Sequence, residues 1–524
     1  MLASRRGAAT LRASVPHRLE FPASSRRWSS SAGRSPSVPR SSWSWSRPRF
    51  VSGPVAGTLL RQYAAGPRPP PKTPPDHRDL GVQQELFTTS IYSPGSPIFL
   101  PNGARVFNRL VDFLRKQYVR YGFQEVITPT IYKKALWAKS GHLENYADDM
   151  FTVTSASLAT GERRGEGGAT PGPQDLEDEY GLKPMNCPGH CLIFAAQRHS
   201  YRDLPIRYAD FSPLHRDELS GALSGLTRVR RFHQDDGHVF CRPDQVEAEI
   251  RATLDFVRHT YDVLGLGPYR LVLSTRPLDG HLIGTADDWD AAEDALRRAL
   301  DHSHSAWTVS PGDGAFYGPK IDVVLRDSDG KEHQTATVQL DFQLPKRFAL
   351  TYQEAVPKTK AEVEAARPVL IHRAVLGSVE RLMALLIEHY DGRWPFWLNP
   401  RQVAVLTVND SEPVVAFARH VQAVLNGTAE TQDVPLGSLS APTLLAAVDL
   451  DDSARTLPLK VREARSKGYG AVVVVGPKDV ARGTVAVDLS GIPVQEQAER
   501  STKSVDMKPE ELLALLLQKA STYQ

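Results

Sequence analysis

The chain of 524 residues has room for two or three domains with sizeable cores, because a domain typically runs about 100 to 200 residues. Hydrophobic residues make up 41% of the chain and charged residues 23%, which is the composition of an ordinary soluble globular protein. The sequence contains no run of about 18 apolar residues, so we predict no membrane span. Its three cysteines are too few for a disulfide framework.

The net charge of +3 hides an uneven distribution of basic residues. Residues 1–65 contain eleven arginines and a single acid, Glu20, whereas the remainder has 52 basic and 59 acidic residues. The remainder is therefore not a generally basic nucleic-acid binder, and any RNA contact must use local patches. An arginine- and serine-rich, acid-poor N-terminus is typical of a disordered mitochondrial transit peptide, although a disordered basic tail has the same composition. We expect import into the mitochondrial matrix. Cleavage is expected near Tyr63, because residues 61–64 resemble the pattern cut by the matrix protease.

The first elements after this leader are a linker, a helix and a strand. Residues 66–75 are proline-rich and predict a linker without regular structure. The segment from Ala104 to Tyr121 carries apolar residues at helical spacing, and a strand is predicted from Phe123 to Thr128. Residues 160–178 are rich in glycine, proline and acidic residues, which predicts a disordered surface insertion.

Later segments alternate between helical and strand patterns. Pro243 to Leu264 has one apolar face and is followed by Gly265, which predicts a helix. The other predicted elements are strand Tyr269–Ser274, helix Trp289–Leu300, strand Gln402–Val408, helix Glu412–Leu425, strand Ala471–Gly476 and helix Pro509–Gln518. The last four alternate in the manner of a mostly parallel βα sheet.

Residues 207–241 contain many charged and aromatic side chains. Two strands are predicted there, from Ile206 to Phe211 and from Val229 to Phe240, joined by a loop that contains arginines and acids. A solvated hairpin loop would have a similar composition. Composition alone therefore does not separate a binding site from an exposed turn.

Cysteines and a histidine in this part of the chain have the spacing of a metal site. Cys187 and Cys191 are four residues apart, and His238 and Cys241 are three apart. Local spacing alone suggests that these four residues form a closed structural zinc cage.

Several stretches resemble the class II aminoacyl-tRNA synthetases, in their threonyl form. They are Asp76-His77-Arg78 at the domain start, 104–128 (motif 1), 140–146, 183–191, 215–241 (motif 2), 315–322, 338–342 and 368–382 (motif 3). The resemblance implies an α+β catalytic domain over 76–395, with an antiparallel active-site sheet flanked by helices. It also implies an α/β anticodon-binding domain over 396–524, where Glu463 stands at a matching position.

The resemblance also implies a reaction. ATP and threonine would form threonyl-adenylate, and the threonyl group would then pass to the 3′ end of tRNA(Thr) in a homodimeric enzyme with no membrane association. Two anions must approach each other in the first step, so guanidinium groups are needed to neutralise them. The matching catalytic positions are Arg216, Arg381, His142 and Lys320, and those for ATP are Arg216, Glu218, Arg228, Phe232, Gln339 and Arg381.

For the amino acid and the metal ions, the resemblance implies a different zinc site from the closed cage. In the family one zinc is held by three dispersed ligands, which match Cys187, His238 and His372, and open positions are left for substrate. The positions that match threonine contacts are Met185, Gln234, Asp236, Tyr317 and Ser378. Mg²⁺ would bridge the phosphates of ATP.

Two other functions are considered. A prolyl- or seryl-type enzyme shares the sheet but would lack the Cys187, His238 and His372 set, and a catalytically inactive RNA-binding accessory protein would not need Arg216, Glu218 and Arg381. Only about ten residues separate the predicted leader from the predicted catalytic domain. We therefore expect a short form without the N-terminal editing domain of many threonyl enzymes.

Overall fold

The computed structural model describes most of the chain after the predicted leader. Its residues are 74–154, 179–277, 285–303, 305–315, 317–327, 330–354, 366–428, 448–493 and 504–524. Three predicted segments lie outside these ranges: the transit peptide with its cleavage site, linker residues 66–73 and the insertion 160–178. Among the helices within them, none combines the length and the apolar character needed to cross a bilayer.

Residues 74–395 form strands β1 to β14 and helices α1 to α9. The strands are β1 (Phe87–Thr88), β2 (Ile98–Phe99), β3 (Gln124–Glu125), β4 (Ile131–Lys133), β5 (Thr152–Val153), β6 (Tyr180–Leu182), β7 (Ile206–Asp210), β8 (Pro213–His215), β9 (Arg231–Cys241), β10 (Arg270–Ser274), β11 (Trp307–Ser310), β12 (Lys320–Arg326), β13 (Glu332–Asp341) and β14 (Val369–Ser378). The helices are α1 (His77–Gln83), α2 (Pro101–Arg120), α3 (Lys134–Ser140), α4 (His142–Tyr146), α5 (Cys187–Ala195), α6 (Val246–Val263), α7 (Ala286–His302), α8 (Gln343–Arg347) and α9 (Val379–His389).

A large, mainly antiparallel sheet organises this region. Its strand order is β11-β10-β12-β13-β14-β9-β7-β3, with β8 paired to β9. The described ladders are antiparallel except at the two edges, where β11 runs parallel to β10 and β3 runs parallel to β7. The predicted antiparallel active-site sheet flanked by helices is thus confirmed.

Helices cover one face of this sheet because their apolar stripes need a partner. On α6 the buried positions include Val246, Ile250, Leu254, Val257 and Tyr261, the spacing of one helical face. These side chains share a core with α2 and with sheet residues of the same face. The helices predicted from periodicity at 104–121, 243–264 and 289–300 are confirmed, with ends shifted by a few residues.

The predicted strand from Phe123 to Thr128 is mostly wrong. Only Gln124 and Glu125 pair with β7, because the Thr128 backbone N–H and hydroxyl both donate to the Asp210 carboxylate instead of continuing the ladder. The chain therefore leaves the edge of the sheet within two residues.

Residues 396–524 build a second sheet with its own core. Strands β15 (Val403–Thr407), β16 (Val448–Asp451), β17 (Ala471–Val475), β18 (Val485–Asp488) and β19 (Val505–Met507) lie in the order β16-β15-β17-β18-β19. The helices are α10 (Glu412–Asn426), α11 (Leu457–Ser466), α12 (Pro477–Arg482) and α13 (Pro509–Ser521). This region is the α/β part of the predicted architecture.

The prediction of a mostly parallel second sheet is only half right. Strands β16 and β17 run parallel to β15, but β18 and β19 are antiparallel to their neighbours. The link from Val475 to Val485 is too short for a parallel crossover, which needs a dozen or more residues. Gly483, at φ 64°, instead reverses the chain after the short helix α12.

Candidate active site

The register of the large sheet brings predicted site residues from four strands into one row. Lys320 on β12 pairs with Gln339 on β13, and Gln339 pairs with His372 on β14. His372 in turn pairs with His238 on β9. Directly paired residues project from the same face, so side chains that are up to 134 positions apart in sequence become neighbours.

Cys187 completes a group of three potential metal ligands in this row. It is the first residue of α5 and is buried, as are His238 and His372. Nε2 of His238 lies 2.9 Å from Nδ1 of His372, and the three ligand atoms all lie within 4.8 Å of one another. Donor atoms around a tetrahedral zinc are separated by roughly 3 to 4 Å, so this group is close to a zinc geometry.

A buried carboxylate orients the His372 ring. His372 Nε2 lies 2.8 Å from Oδ2 of Asp341, which is fully buried. Oδ1 of Asp341 accepts hydrogen bonds from the backbone N–H groups of Gln343 and Leu344 at 2.6 and 3.0 Å. With Nε2 donating to Asp341, the other nitrogen of His372 presents its lone pair to the Cys187 and His238 side. Such carboxylate–histidine pairs are typical behind zinc ligands.

The donor set fits zinc in its chemistry as well. One thiol and two imidazoles are the ligands that zinc prefers. Burial raises the pKa of the Cys187 thiol well above its usual range, and it lowers that of His238 well below. A neutral His238 can ligate a metal, whereas a Cys187 thiolate at neutral pH needs a bound cation.

The closed four-ligand cage does not form in the described residues. Cys241 lies three residues after His238 on the same strand, so the two side chains point to opposite faces of the sheet. Cys241 packs with Val239 in the core under α6, whereas Cys187 and Cys191 pack on the other face. The structure therefore brings together Cys187, His238 and His372 and excludes Cys241.

Predicted threonine-binding residues surround this group. Asp236 lies two positions before His238 on the same strand face, accepts a hydrogen bond from the Asn186 amide at 3.1 Å, and has a pKa that burial raises to about 7. The Tyr317 hydroxyl donates to Gln339, and its ring centroid lies 5.4 Å from that of His372.

Gln234, Ser378 and Met185 complete the predicted threonine set. Gln234 on β9 pairs with Ser378 on β14, after a shift in register, and Met185 packs beside Cys187. The Ser378 hydroxyl accepts from the Arg381 backbone N–H at 3.1 Å and so caps α9. The structure thus brings all the predicted threonine-binding residues to one side of the sheet.

Arg381 has two other arginines, Arg216 and Arg228, close enough to affect its pKa. Burial lowers the pKa of Arg381, and the nearby Arg216 and Arg228 lower it further. Arg381 is held by two carbonyl oxygens, because Nε donates to Thr227 and Nη1 donates to Gln334, both at 3.1 Å. Like charges placed together in this way favour an anion between them.

Two further predicted ATP-binding residues, Glu218 and Phe232, adjoin this arginine cluster. Glu218 accepts from Arg228 Nη2 at 2.7 Å. Phe232 is 8% exposed, and the guanidinium carbon of Arg216 lies 5.0 Å from its ring centroid. One face of Phe232 is therefore already covered by a cation, and its contact with ATP stays a prediction.

His142 and Lys320 lie at the margins of the site. His142 is buried, its Nδ1 lies 2.7 Å from the Ser140 hydroxyl, and burial lowers its pKa to about 4. Its Nε2 lies 4.0 Å from the Cys187 sulfur, which places it beside the metal group. Lys320 pairs with Asp322 at 2.8 Å.

Glu463, the predicted anticodon contact, lies far from these residues in sequence and on the second sheet's exposed helix α11. It accepts from Arg455 at 2.5 Å and from Lys467 at 2.7 Å. Its neighbour Lys460 is instead buried and donates to the Thr407 and Asp451 carbonyls at the ends of β15 and β16.

Sequence reasoning missed the carboxylates that support the site. Asp341 lies two residues after Gln339, and alternation along a strand places both side chains on one face, which is the signal that could have found it. Glu380 accepts from the backbone and the ring of His233 at 2.9 and 2.8 Å. No sequence signal marks Glu380, because its partner lies 147 residues away.

Two protein families match the chain. The family described as tRNA synthetase class II core domain (G, H, P, S and T) matches residues 169–390, and the anticodon binding domain family matches residues 402–519.

Individual relatives are similar over most of the chain. The chain is 47% identical to the probable mitochondrial threonine–tRNA ligase of Schizosaccharomyces pombe, over 80% of this chain and 85% of that protein. It is 46% identical to the mitochondrial threonine–tRNA ligase of Saccharomyces cerevisiae, over 76% and 83%. A crystal structure described as the RNA binding domain of threonyl-tRNA synthetase from Cryptosporidium parvum superposes with a TM-score of 0.72 at 40% identity, covering 85% of this chain and 98% of that one.

Proposed function

Because the chain belongs to the threonine–tRNA ligases, which are class II aminoacyl-tRNA synthetases, we propose that it joins threonine to tRNA(Thr) for mitochondrial translation. The observation that carries the proposal is that the same central strands, β9 and β14, lead into two groups of side chains. One is the buried Cys187, His238 and His372 set, and the other is the arginine cluster of Arg216, Arg228 and Arg381.

The arginine cluster suits the first half of the reaction. The threonine carboxylate oxygen bonds to the α-phosphorus of ATP while the bond from that phosphorus to the pyrophosphate oxygen breaks. Both reactants are anions, so Arg216 and Arg381 would neutralise the charge that builds up between them. Mg²⁺ would neutralise part of the remaining phosphate charge.

Zinc is proposed as the metal of the buried ligand group. Cys187, His238 and His372 would hold it, with Asp341 fixing the His372 ring. When bound, zinc supplies a Lewis acid with open positions for the amino and hydroxyl groups of threonine. Asp236, Gln234 and Tyr317 lie where they would surround the same substrate.

For transfer to tRNA we propose one residue from each of the two regions. His142, beside Cys187, is the proposed contact of the terminal ribose, and burial lowers its pKa to about 4, so the ring would act as a neutral hydrogen-bonding group. Glu463 on α11 is the proposed contact of the anticodon.

A homodimer is proposed from the exposed apolar side chains next to β3. Val119 is 73% exposed and Ile127 is 86% exposed, and β3 is the edge strand of the large sheet. Large apolar side chains beside an unpaired strand edge favour association with a second copy.

Import into the mitochondrial matrix is proposed from the arginine-rich N-terminus and from the two mitochondrial relatives.

Amino-acid-dependent exchange of pyrophosphate into ATP tests this function. Threonine should support exchange, serine should support it more weakly because it keeps the hydroxyl, and valine and proline should support none. A hydrogen-bonded hydroxyl gives discrimination of roughly 10⁴-fold against an analogue without it, whereas a methyl group gives only about 10- to 200-fold. Strong exchange with proline would favour the prolyl alternative. No exchange with any amino acid would favour an inactive accessory protein.

A further inference from the structure

A second cluster of polar groups lies outside the proposed ligand set, where α1 meets the last turn of α9. His77 is only 5% exposed, and its Nδ1 lies 2.7 Å from Oε1 of Glu388. Its Nε2 accepts a hydrogen bond from the backbone N–H of Leu226 at 3.2 Å. One imidazole thus joins a helix of the catalytic core to the turn 224–228.

The proton positions distinguish this cluster from a metal site. Asp76, His77 and Glu388 have ligand atoms within 4.8 Å of one another. However, the N–H of Leu226 points at Nε2, so Nε2 carries the lone pair and Nδ1 carries the proton of a neutral ring. A metal would need Nδ1, which donates to Glu388. Asp76 is in addition paired with Arg78 at 2.5 Å.

The turn that His77 holds reaches the arginine cluster directly. The Thr227 carbonyl, one residue beyond Leu226, accepts from Arg381 Nε at 3.1 Å. Gly225 has φ 48°, and a Cβ there would lie 2.1 Å from Nε2 of His77, so a glycine is needed for the close approach. Leu226 itself is fully buried in the core.

Helix α9 lies at both ends of this chain of contacts. It carries Arg381 in its first turn and Glu388 in its last turn. Glu388 holds His77, His77 holds Leu226, and the next residue holds the Arg381 guanidinium. The turn is therefore fixed relative to the helix that carries the arginine.

We propose that His77 is a positioning residue for ATP: through Leu226 it keeps the Thr227 carbonyl where that carbonyl orients Arg381 toward the phosphates. This inference rests on the proposed function, because it assigns Arg381 to the ATP site. The threonine pocket shares no contact with His77 in the described residues, so the effect should be confined to ATP.

Two substitutions of His77 separate its two hydrogen bonds. In His77→Gln the amide oxygen reaches the position of Nε2 and can still accept from Leu226. In His77→Asn the shorter amide reaches only the position of Nδ1, so it can still donate to Glu388 while Leu226 loses its acceptor. The two variants remove the same ring and differ in the bond that the proposal needs.

The test is threonine-dependent pyrophosphate exchange by the full chain, with ATP and threonine varied separately. We expect His77→Asn to raise the KM for ATP by about tenfold, the scale of one lost hydrogen bond, with the KM for threonine within about twofold. His77→Gln should stay within about threefold of the wild type for both substrates. Gly225→Ala, which displaces an intact His77, should reproduce the ATP defect of His77→Asn.

The outcomes separate the inference from the function on which it rests. Absence of exchange in the wild type overturns the proposed function, and the inference with it. Normal exchange in the wild type overturns the inference alone in either of two cases. One is that His77→Asn and His77→Gln behave alike, and the other is that the KM values for ATP and threonine rise together. If His77→Asn does not fold, Gly225→Ala is compared with the wild type instead. The inference is then overturned if the KM for ATP stays unchanged or if the KM values for ATP and threonine rise together.

Discussion

The metal-ligand group and the arginine cluster lie side by side but are held in different ways. His238 and His372 are paired residues on adjacent central strands, so the sheet register fixes their separation. Arg381 is instead held by two carbonyl oxygens, those of Thr227 in a turn and Gln334 in a strand. The two histidines are thus placed by strand pairing, whereas Arg381 is placed by single hydrogen bonds to the backbone.

This difference has a chemical reason. A metal site tolerates only small changes in ligand position, because bond lengths to zinc are near 2.0 to 2.3 Å. If the arginine cluster binds ATP as proposed, it must also release pyrophosphate, and single hydrogen bonds to carbonyl oxygens can break and re-form during that exchange. Substitutions in the two groups should therefore affect different measurable quantities.

The largest effect is expected from the arginine cluster. Arg216→Ala should lower the rate of adenylate formation by about 10²- to 10³-fold, because one positioned charge is lost from the transferring phosphate, about 3 to 4 kcal/mol. Metal content should not change. Single-turnover adenylation measures the rate, and Arg326→Ala, which removes an exposed arginine that pairs with Glu332, is the control. A rate within a factor of three of the wild type would contradict the assignment of Arg216.

A smaller effect on a different quantity is expected behind the metal group. Asp341→Asn should weaken zinc binding by about 10- to 100-fold, because the amide can no longer accept as strongly from His372 Nε2. The KM for ATP should stay unchanged. Competition with a chromogenic chelator measures the affinity, and an unchanged affinity would show that Asp341 does not support a ligand.

The smallest effect is expected from Cys241, which lies on the face of the sheet opposite to the metal-ligand group. Cys241→Ser should keep the full metal content and lower stability by about 1 to 3 kcal/mol, because it buries a hydroxyl in an apolar core. Cys187→Ser is the matched comparison and should lose metal. Metal analysis and denaturant unfolding of both variants check this. Loss of metal from Cys241→Ser as well as from Cys187→Ser would favour the closed cage.

Elements with strong periodicity were predictable from the sequence, whereas supports across the sheet were not. The apolar face of α6 follows from helical spacing alone. The length of the strand predicted at 123–128 was too great, because a strand pattern does not show how many pairing partners an edge position has. The exclusion of Cys241 could have been predicted, since an odd spacing on a strand places two side chains on opposite faces.

The residues that complete the site depend on register, which sequence spacing does not specify. The pairing of Gln339 with His372 and of His372 with His238 is set by three strands far apart in the chain. The resemblance to a known family named the ligands, but it did not indicate Asp341 or the contact of His77 with Leu226. The hydrogen bonds of Asp341 with His372 and of His77 with Leu226 each join segments that are separated in sequence.

Anomalous scattering at the zinc absorption edge tests the central claim most directly. Crystals of the full chain grown with threonine should show one peak, bonded by Cys187 Sγ, His238 Nε2 and His372 Nδ1, with the amino and hydroxyl groups of threonine in the remaining positions. A peak bonded by Cys191 or Cys241 would contradict the account. The absence of any peak from crystals of enzyme that catalyses threonine-dependent exchange would contradict it as well.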